Sequence, residues 1–398
     1  MSRNKIKNII LIVLSLVIIA GIIVTLIFVL RSRTLYTFDE GSKTLTIYSD
    51  DYFQSPDKQK FDKSENLVNV SISDGVTNIP FGAFEECSNI ENISIPDSVE
   101  QIGPEAFYGC EKLKTVNIPG KITAIQANTF RGCKSLESLT LPDKVNMIGE
   151  EAFEDCNSLK RINIPTGVTV IKTGTFHNCV NLESMTLPDG ITKIEAFSFR
   201  NCNDLESLNI PDGVTDIGKS AFSDCKKIKS LSIPAKLTKI DNDVFNGCES
   251  LTDIIIPGSI TAIEQSAFSG CSTLSSITLP DGVSSIGSSA FKDCKSLKEI
   301  NIPKGIKIIE NNTFENCTSL TGITIPDSVK ELADYSLGHC TGIKSITIPE
   351  SVTDFYTHTF DGWTSKQTIK FRNGHNHIQY TFDKDFKECC LAKTEYVD

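Results

Sequence analysis

Twelve cysteines recur at one step: Cys87, Cys110, Cys133, Cys156, Cys179, Cys202, Cys225, Cys248, Cys271, Cys294, Cys317 and Cys340, each 23 residues after the last with no insertion. Thiols can bind zinc, pair as disulfides, or pack as small apolar side chains. Zinc sites need paired short spacings such as C-x-x-C, and none occurs. Equivalent residues in stacked strands lie roughly 4.8 Å apart, whereas a disulfide prefers Cβ atoms near about 3.8 Å. A row of buried thiols is therefore the expectation. Some coil-to-coil bridges are the alternative in an exported chain. Cys389-Cys390 is the only cysteine pair off the step, suited to a bridge between chains or to two unpaired thiols. His375-x-His377 offers two metal ligands without a third. No Ser/His/Asp nucleophile arrangement, Gly-rich phosphate loop or isolated carboxylate pair stands out against the repeat, which leaves no room for a catalytic insertion. No catalytic, cofactor or metal site is assigned, and the chain is read as a non-enzyme.

The elements that position the cysteines share their step. Proline runs from Pro96 through Pro119 and Pro142 to Pro349. Phenylalanine runs from Phe84 to Phe314, becomes Leu337 once, and returns at Phe360. Such a period marks a solenoid, so length counts coils instead of domains. In the coil from Cys133, Leu139-x-Leu141 alternates in and out as a short strand, and the strands stack as one parallel sheet. Pro142 ends the strand because it has no N–H to donate. Val145-x-x-Ile148 returns as a short extended or 3₁₀ piece. Ala152-Phe153-x-x-Cys156 reads as one helical turn that drops Phe153 inward. Fourteen strand positions follow, from Val70/Ile72 to Ile369/Phe371. The fold class is a β-rich solenoid of 23-residue coils preceded by a single transmembrane helix.

That helix is residues 9–30, 22 positions that are apolar except for Ser15, Gly21 and Thr25. At the α-helical rise this is about 33 Å, enough for a bilayer core of about 30 Å. The run is longer than the apolar region of a cleaved signal, and Arg31-Ser32-Arg33 follows it in place of a small-residue cleavage motif. An uncleaved signal anchor is expected, with secretion after cleavage the alternative. Arg3, Lys5 and Lys7 outweigh Arg31 and Arg33, which favours a cytoplasmic N-terminus and places the repeats outside the plasma membrane. The remaining divisions are a cytoplasmic stub at 1–8, a juxtamembrane hairpin and cap at 31–63, the solenoid at 64–371, and a C-terminal cap and tail at 372–398. In the last, Ile378 to Phe382 reads as a capping strand. A formal charge of −11 and a pI near 5.1 exclude nucleic acid as a partner.

The unit Leu-x-x-Ile-x-Ile-Pro-x-x-Val-x-x-Ile-x-x-x-Ala-Phe-x-x-Cys, as in Leu113 to Cys133 and Leu274 to Cys294, resembles the type-5 leucine-rich repeat of the BspA-like surface antigens. The resemblance runs from Ser64 to about Phe371. It implies a gently curved, parallel-sheeted solenoid on the surface of a bacterium or mucosal protist. It also implies adhesion to host proteins, cells or other microbes.

The outward residue of each strand supplies the candidate binding stripe: Ser71, Ser94, Asn117, Thr140, Asn163, Thr186, Asn209, Ser232, Ile255, Thr278, Asn301, Thr324 and Thr347. All but Ile255 are small, polar and uncharged. The stripe is either a hydrogen-bonding face for protein or glycan partners or simply a solvated ladder. Three positions earlier, Glu91, Lys114, Glu137, Lys160, Glu183, Glu206 and Lys229 form a charged row, read as an aid to stacking register. Sequons at Asn69, Asn92, Asn311 and Asn316 are glycan acceptors if the source is a eukaryote.

Overall fold

Three parallel ladders per turn build the array, and each follows from one part of the repeat. The structure is a computed structural model that describes residues 34–372 and 390–397. The apolar segment 9–30, His375, His377, Cys389 and the strand expected over 378–382 lie outside those residues. Among the described residues no helix is long and apolar enough to cross a membrane.

The first ladder is the strand row. Ser138–Leu139 pairs in register with Arg161–Ile162, and Ser184–Thr186 with Ser207–Asn209. Thirteen of the fourteen expected positions form strands; the exception is Gly322–Ile325. Proline closes the row: Val145 N–H donates to the Pro142 carbonyl at 3.0 Å, and the same turn recurs coil after coil. The second ladder is the return segment, which is extended. Ala124–Ile125 pairs with Met147–Ile148, and Val170–Ile171, Lys193–Ile194 and Asp216–Ile217 form one three-stranded piece.

The third ladder corrects the expected helical turn. Alternate amides leave the turn and bond to the next coil: Phe107 N–H donates to Thr129 O at 3.0 Å and Gly109 N–H to Arg131 O at 2.8 Å. The amides between them fold back, as Tyr108 N–H does to Glu105 O at 3.0 Å. A helix does not alternate in this way: past its first four amides, each bonds to the carbonyl four residues earlier. The chain turns instead through two left-handed residues per coil, four apart, such as Glu151 (φ 53°) and Asp155 (φ 59°). The second of these is usually Gly, Asn or Asp, the residues that reach this region most readily: Gly109, Gly132, Asn178, Asn201 and Asp224. At Gly218 the coils come so close that a Cβ would sit 2.6 Å from the Ala196 amide nitrogen.

The phenylalanines form a continuous inner stack. Rings from Phe84 to Phe314 lie with centroids 5.2 to 5.9 Å apart and nearly parallel planes. Burying one such ring contributes roughly 1.5–3 kcal/mol, and a single coil cannot enclose it. The periodic cysteines are buried beside the stack as thiols, with no bridge among the described residues. From Cys110 to Cys340, each Sγ donates to the carbonyl of the phenylalanine 26 residues earlier, at 3.0 to 3.3 Å. Cysteine is thus both a small apolar filler and a weak donor between coils. In the last coil Trp363 takes the slot, and its Nε1 donates to Leu337 O, also 26 residues earlier, at 2.9 Å.

Both ends are capped. β1 (Tyr36–Asp39) and β2 (Thr44–Ile47) form an antiparallel hairpin, and β2 then pairs in parallel with β3 (Asn69–Ile72). Two 3₁₀ turns, Asp50–Gln54 and Pro56–Lys60, follow the hairpin. The first buries Tyr52 and Phe53, and Phe53 meets Phe84 edge-on at 6.0 Å. At the far end Lys393–Val397 pairs in parallel with Thr368–Arg372. The C-terminal edge of the described sheet is therefore supplied by the last residues of the chain.

Candidate interaction face

Along each strand the middle side chain points in and its two neighbours point out, so the outer face carries two rows per coil. Ser94, Asn117, Thr140, Asn163, Thr186, Asn209, Ser232, Ile255, Thr278, Asn301, Thr324 and Thr347 are all exposed and lie in one row. The companion row, two residues earlier, holds Ser138, Ser184, Ser207, Ser230 and Ser276, with charge at Arg161, Asp253 and Glu299. Shallow depressions follow this face. One, about 1340 Å³, runs from Ser276 to Thr347; another of about 800 Å³ runs from Ser138 to Asn209.

The stripe is not uniformly open to a partner. Asn163 Oδ1 accepts from Leu141 N–H at 2.8 Å, and its Nδ2 donates to Leu141 O at 2.9 Å. Asn301 holds Leu279 in the same way, at 2.8 Å for both bonds. Asn117 holds Ile95, at 3.0 and 2.6 Å. These amides replace strand pairing where the ladder stops after two residues. They fall on alternate coils, and the sequence already carried the signal: Asn117, Asn163, Asn209 and Asn301 lie at multiples of 46 residues. Ile255 occupies the missing slot in that series. At Asn209 and Ile255 the ladder runs on to a third residue pair, and Asn209 makes no such clamp.

Asn163→Ala should therefore cost about 1–3 kcal/mol by stranding two buried backbone groups. Asn209→Ala should stay within about 0.5 kcal/mol. Urea unfolding of the two variants checks the difference; equal losses would mean the clamp contributes nothing.

The charged row closes only in part. Lys114 reaches Glu91 at 2.7 Å, and this hydrogen bond lowers the Glu91 carboxyl below its usual range. Lys229 lies 3.8 Å from Glu206, while among the described residues Glu137 and Lys160 form no ion pair within 4.0 Å. Such exposed pairs contribute little. A stronger register pin sits at the turns. Burial raises the Glu154 carboxyl, but the His177 hydrogen bond (2.9 Å) and Arg131 (3.1 Å) outweigh it and leave that group below its ordinary value. Three successive coils are joined there.

The sequons sit in unlike places. Asn69 and Asn92 are neighbours on the companion row; Asn92 Nδ2 donates to Asn69 Oδ1 at 3.0 Å. Asn311 is exposed, with Oδ1 accepting from Asp334 N–H at 3.0 Å. Asn316 is half-buried in the left-handed region (φ 63°), and its amide nitrogen donates to Asp293. Among the described residues no group of three or more His, Cys, Asp or Glu is placed to hold a metal.

Comparison with known proteins matches this architecture. No curated protein matches the chain. A leucine-rich repeat protein from Bacteroides ovatus is 24% identical, covers 91% of this chain and 98% of its own, and superposes with a TM-score of 0.62. A leucine rich cell surface protein from Faecalibacterium prausnitzii is 26% identical, covers 91% of this chain and 93% of its own, and gives a TM-score of 0.55. The profile of the BspA type leucine rich repeat region matches residues 54–183, 169–298 and 284–397, which together span nearly the whole described array. The chain belongs to the BspA-type leucine-rich-repeat family.

Proposed function

We propose that this chain is a membrane-anchored surface protein whose strand face binds protein or glycan partners in adhesion. The observation that carries the reading is the face itself. It offers an exposed row over twelve coils, polar in all but the Ile255 coil, with depressions along it, while the opposite side of each strand is sealed by core. Solenoids of this kind bind through such extended surfaces. The F. prausnitzii relative, a cell surface protein, supports display outside the cell. Residues 9–30 supply the anchor in this reading, with secretion after cleavage as the alternative. A second reading, a structural or antigenic coat without a specific ligand, is favoured by the three asparagines already bonded to the backbone of the preceding coil.

Cells displaying the full chain test both readings. Saturable attachment to host cells or matrix is expected, reduced at least about tenfold by Thr186→Arg together with Thr278→Arg, as for loss of interface hot spots. Attachment that never saturates, or that ignores both substitutions, favours the coat. Protease treatment of the intact cells should remove the repeats; protected repeats would contradict surface display.

A further inference from the structure

The strand face changes character in its C-terminal half. Ile255 is 83% exposed, in a row that is otherwise small and polar. Asp253 lies on the same strand and the same face, two residues earlier. Glu299 stands two coils further along the companion row, with Ser276 between them. Among the described residues neither carboxylate forms an ion pair within 4.0 Å, and Asp253 accepts from the Thr252 hydroxyl at 3.0 Å. Ile255 and Asp253 line a depression of about 490 Å³ that shares Ser276, Ile277 and Thr278 with the 1340 Å³ trough. On the trough's rim Lys304 is the one free cation among the described residues, because Arg372 is tied to Asp327 at 3.2 Å.

We propose that this stretch docks a basic, extended polypeptide segment, with an aliphatic side chain on Ile255 and lysines or arginines on Asp253 and Glu299. The proposal rests on the reading that the strand face takes a partner, and it names the partner's chemistry. Charge selects that chemistry. A second copy of this chain would set the same carboxylates against each other, and nucleic acid would meet a surface of its own sign. A glycan would find no ring to stack on, since this part of the face exposes no aromatic side chain among the described residues. Spacing adds a constraint. Asp253 and Glu299 are two coils apart, about 9–10 Å at strand spacing. A polyproline II segment lying along the array covers that distance in about three residues, one full turn, which returns side chains i and i+3 to the same side, so the cations belong at every third position.

The full chain, immobilised, is tested with three synthetic peptides: repeats of Lys-Leu-Ser, of Lys-Ser-Ser and of Glu-Leu-Ser. The first should bind saturably and weaken with salt. The other two should bind at least about tenfold more weakly, as expected when an anchor or a charge pair is lost. Ile255→Asn, which restores the alternating residue, and the pair Asp253→Asn with Glu299→Gln should each weaken Lys-Leu-Ser binding about tenfold. Phe81→Ala, just after the return strand Asn78–Ile79 and off this face, should leave it unchanged. Circular dichroism of each variant confirms that the fold is kept. Binding insensitive to Ile255→Asn, or equal for Lys-Ser-Ser, would reduce the interaction to diffuse charge and overturn the proposal. Saturable cell attachment that persists with such a result removes only this docking site; loss of both removes the binding-face reading as well.

Discussion

Phe199→Ala is expected to lower the unfolding free energy by about 3–5 kcal/mol, the range for large-to-small changes at fully buried aromatic positions. Phe199 is fully buried, near the middle of the ring stack, 5.5 Å from Phe176 and 5.4 Å from Phe222. The void has little freedom to close. Phe199 N–H is bonded to Ala221 O at 2.9 Å, and its carbonyl receives the Cys225 thiol at 3.1 Å, so the backbone is held to the next coil. Because stability in such an array passes from neighbour to neighbour, a central lesion weakens both flanks. Phe81, 62% exposed, is the control: Phe81→Ala should change stability by no more than about 0.5 kcal/mol. Urea unfolding followed by far-ultraviolet circular dichroism measures both. A loss below about 1 kcal/mol for Phe199→Ala would place the ring row outside the core.

Raising the pH is expected to unfold the array more abruptly than any single substitution. Burial pushes the periodic thiols up, well above their ordinary value at Cys110, Cys133 and Cys179, and to about 12 at Cys340. The folded state therefore keeps its thiol protons where the unfolded chain releases them. Below the unfolded value, near 9, both states are protonated and the thiols add no pH dependence. Above it the unfolded chain ionises, and stability falls by about 1.4 kcal/mol per pH unit for each such thiol. Twelve acting together would remove about 17 kcal/mol per unit, more than a typical domain's whole stability. The transition should thus be steep, beginning above about pH 9 and complete within one to two units. Thiolate absorbance should appear together with loss of strand signal. Cys202→Ala with Cys225→Ala should make the transition shallower. Gradual thiolate formation with secondary structure intact through pH 11 would mean the thiols are open to solvent.

The core was legible because one coil suffices to read it. Phe153, Cys156, Leu139 and Ile148 recur at one step, and every one of them is inside. The turn was misread because Ala152, Phe153 and Cys156 fall at helical spacing. Their inward direction comes instead from left-handed residues at Glu151 and Asp155, and only the latter is of a type that announces this. In the sequence Trp363 breaks the cysteine step, yet its indole N–H makes the bond that cysteine makes elsewhere. Size and polarity differ between the two residues; the shared donor shows only when the facing carbonyl is known. The face was half legible. Exposure of the stripe follows from strand alternation, but the inward use of Asn117, Asn163 and Asn301 depends on the backbone of the neighbouring coil.

The alternating asparagines give the array a parity. A deletion of two whole coils, 46 residues, keeps the asparagine positions in phase across the junction. Removing one coil, such as that carrying Thr186, would set Asn163 beside Asn209 and place two asparagine-bearing coils side by side. The quantum in which this rod tolerates change of length is thus a pair of coils, twice the period read from its cysteines.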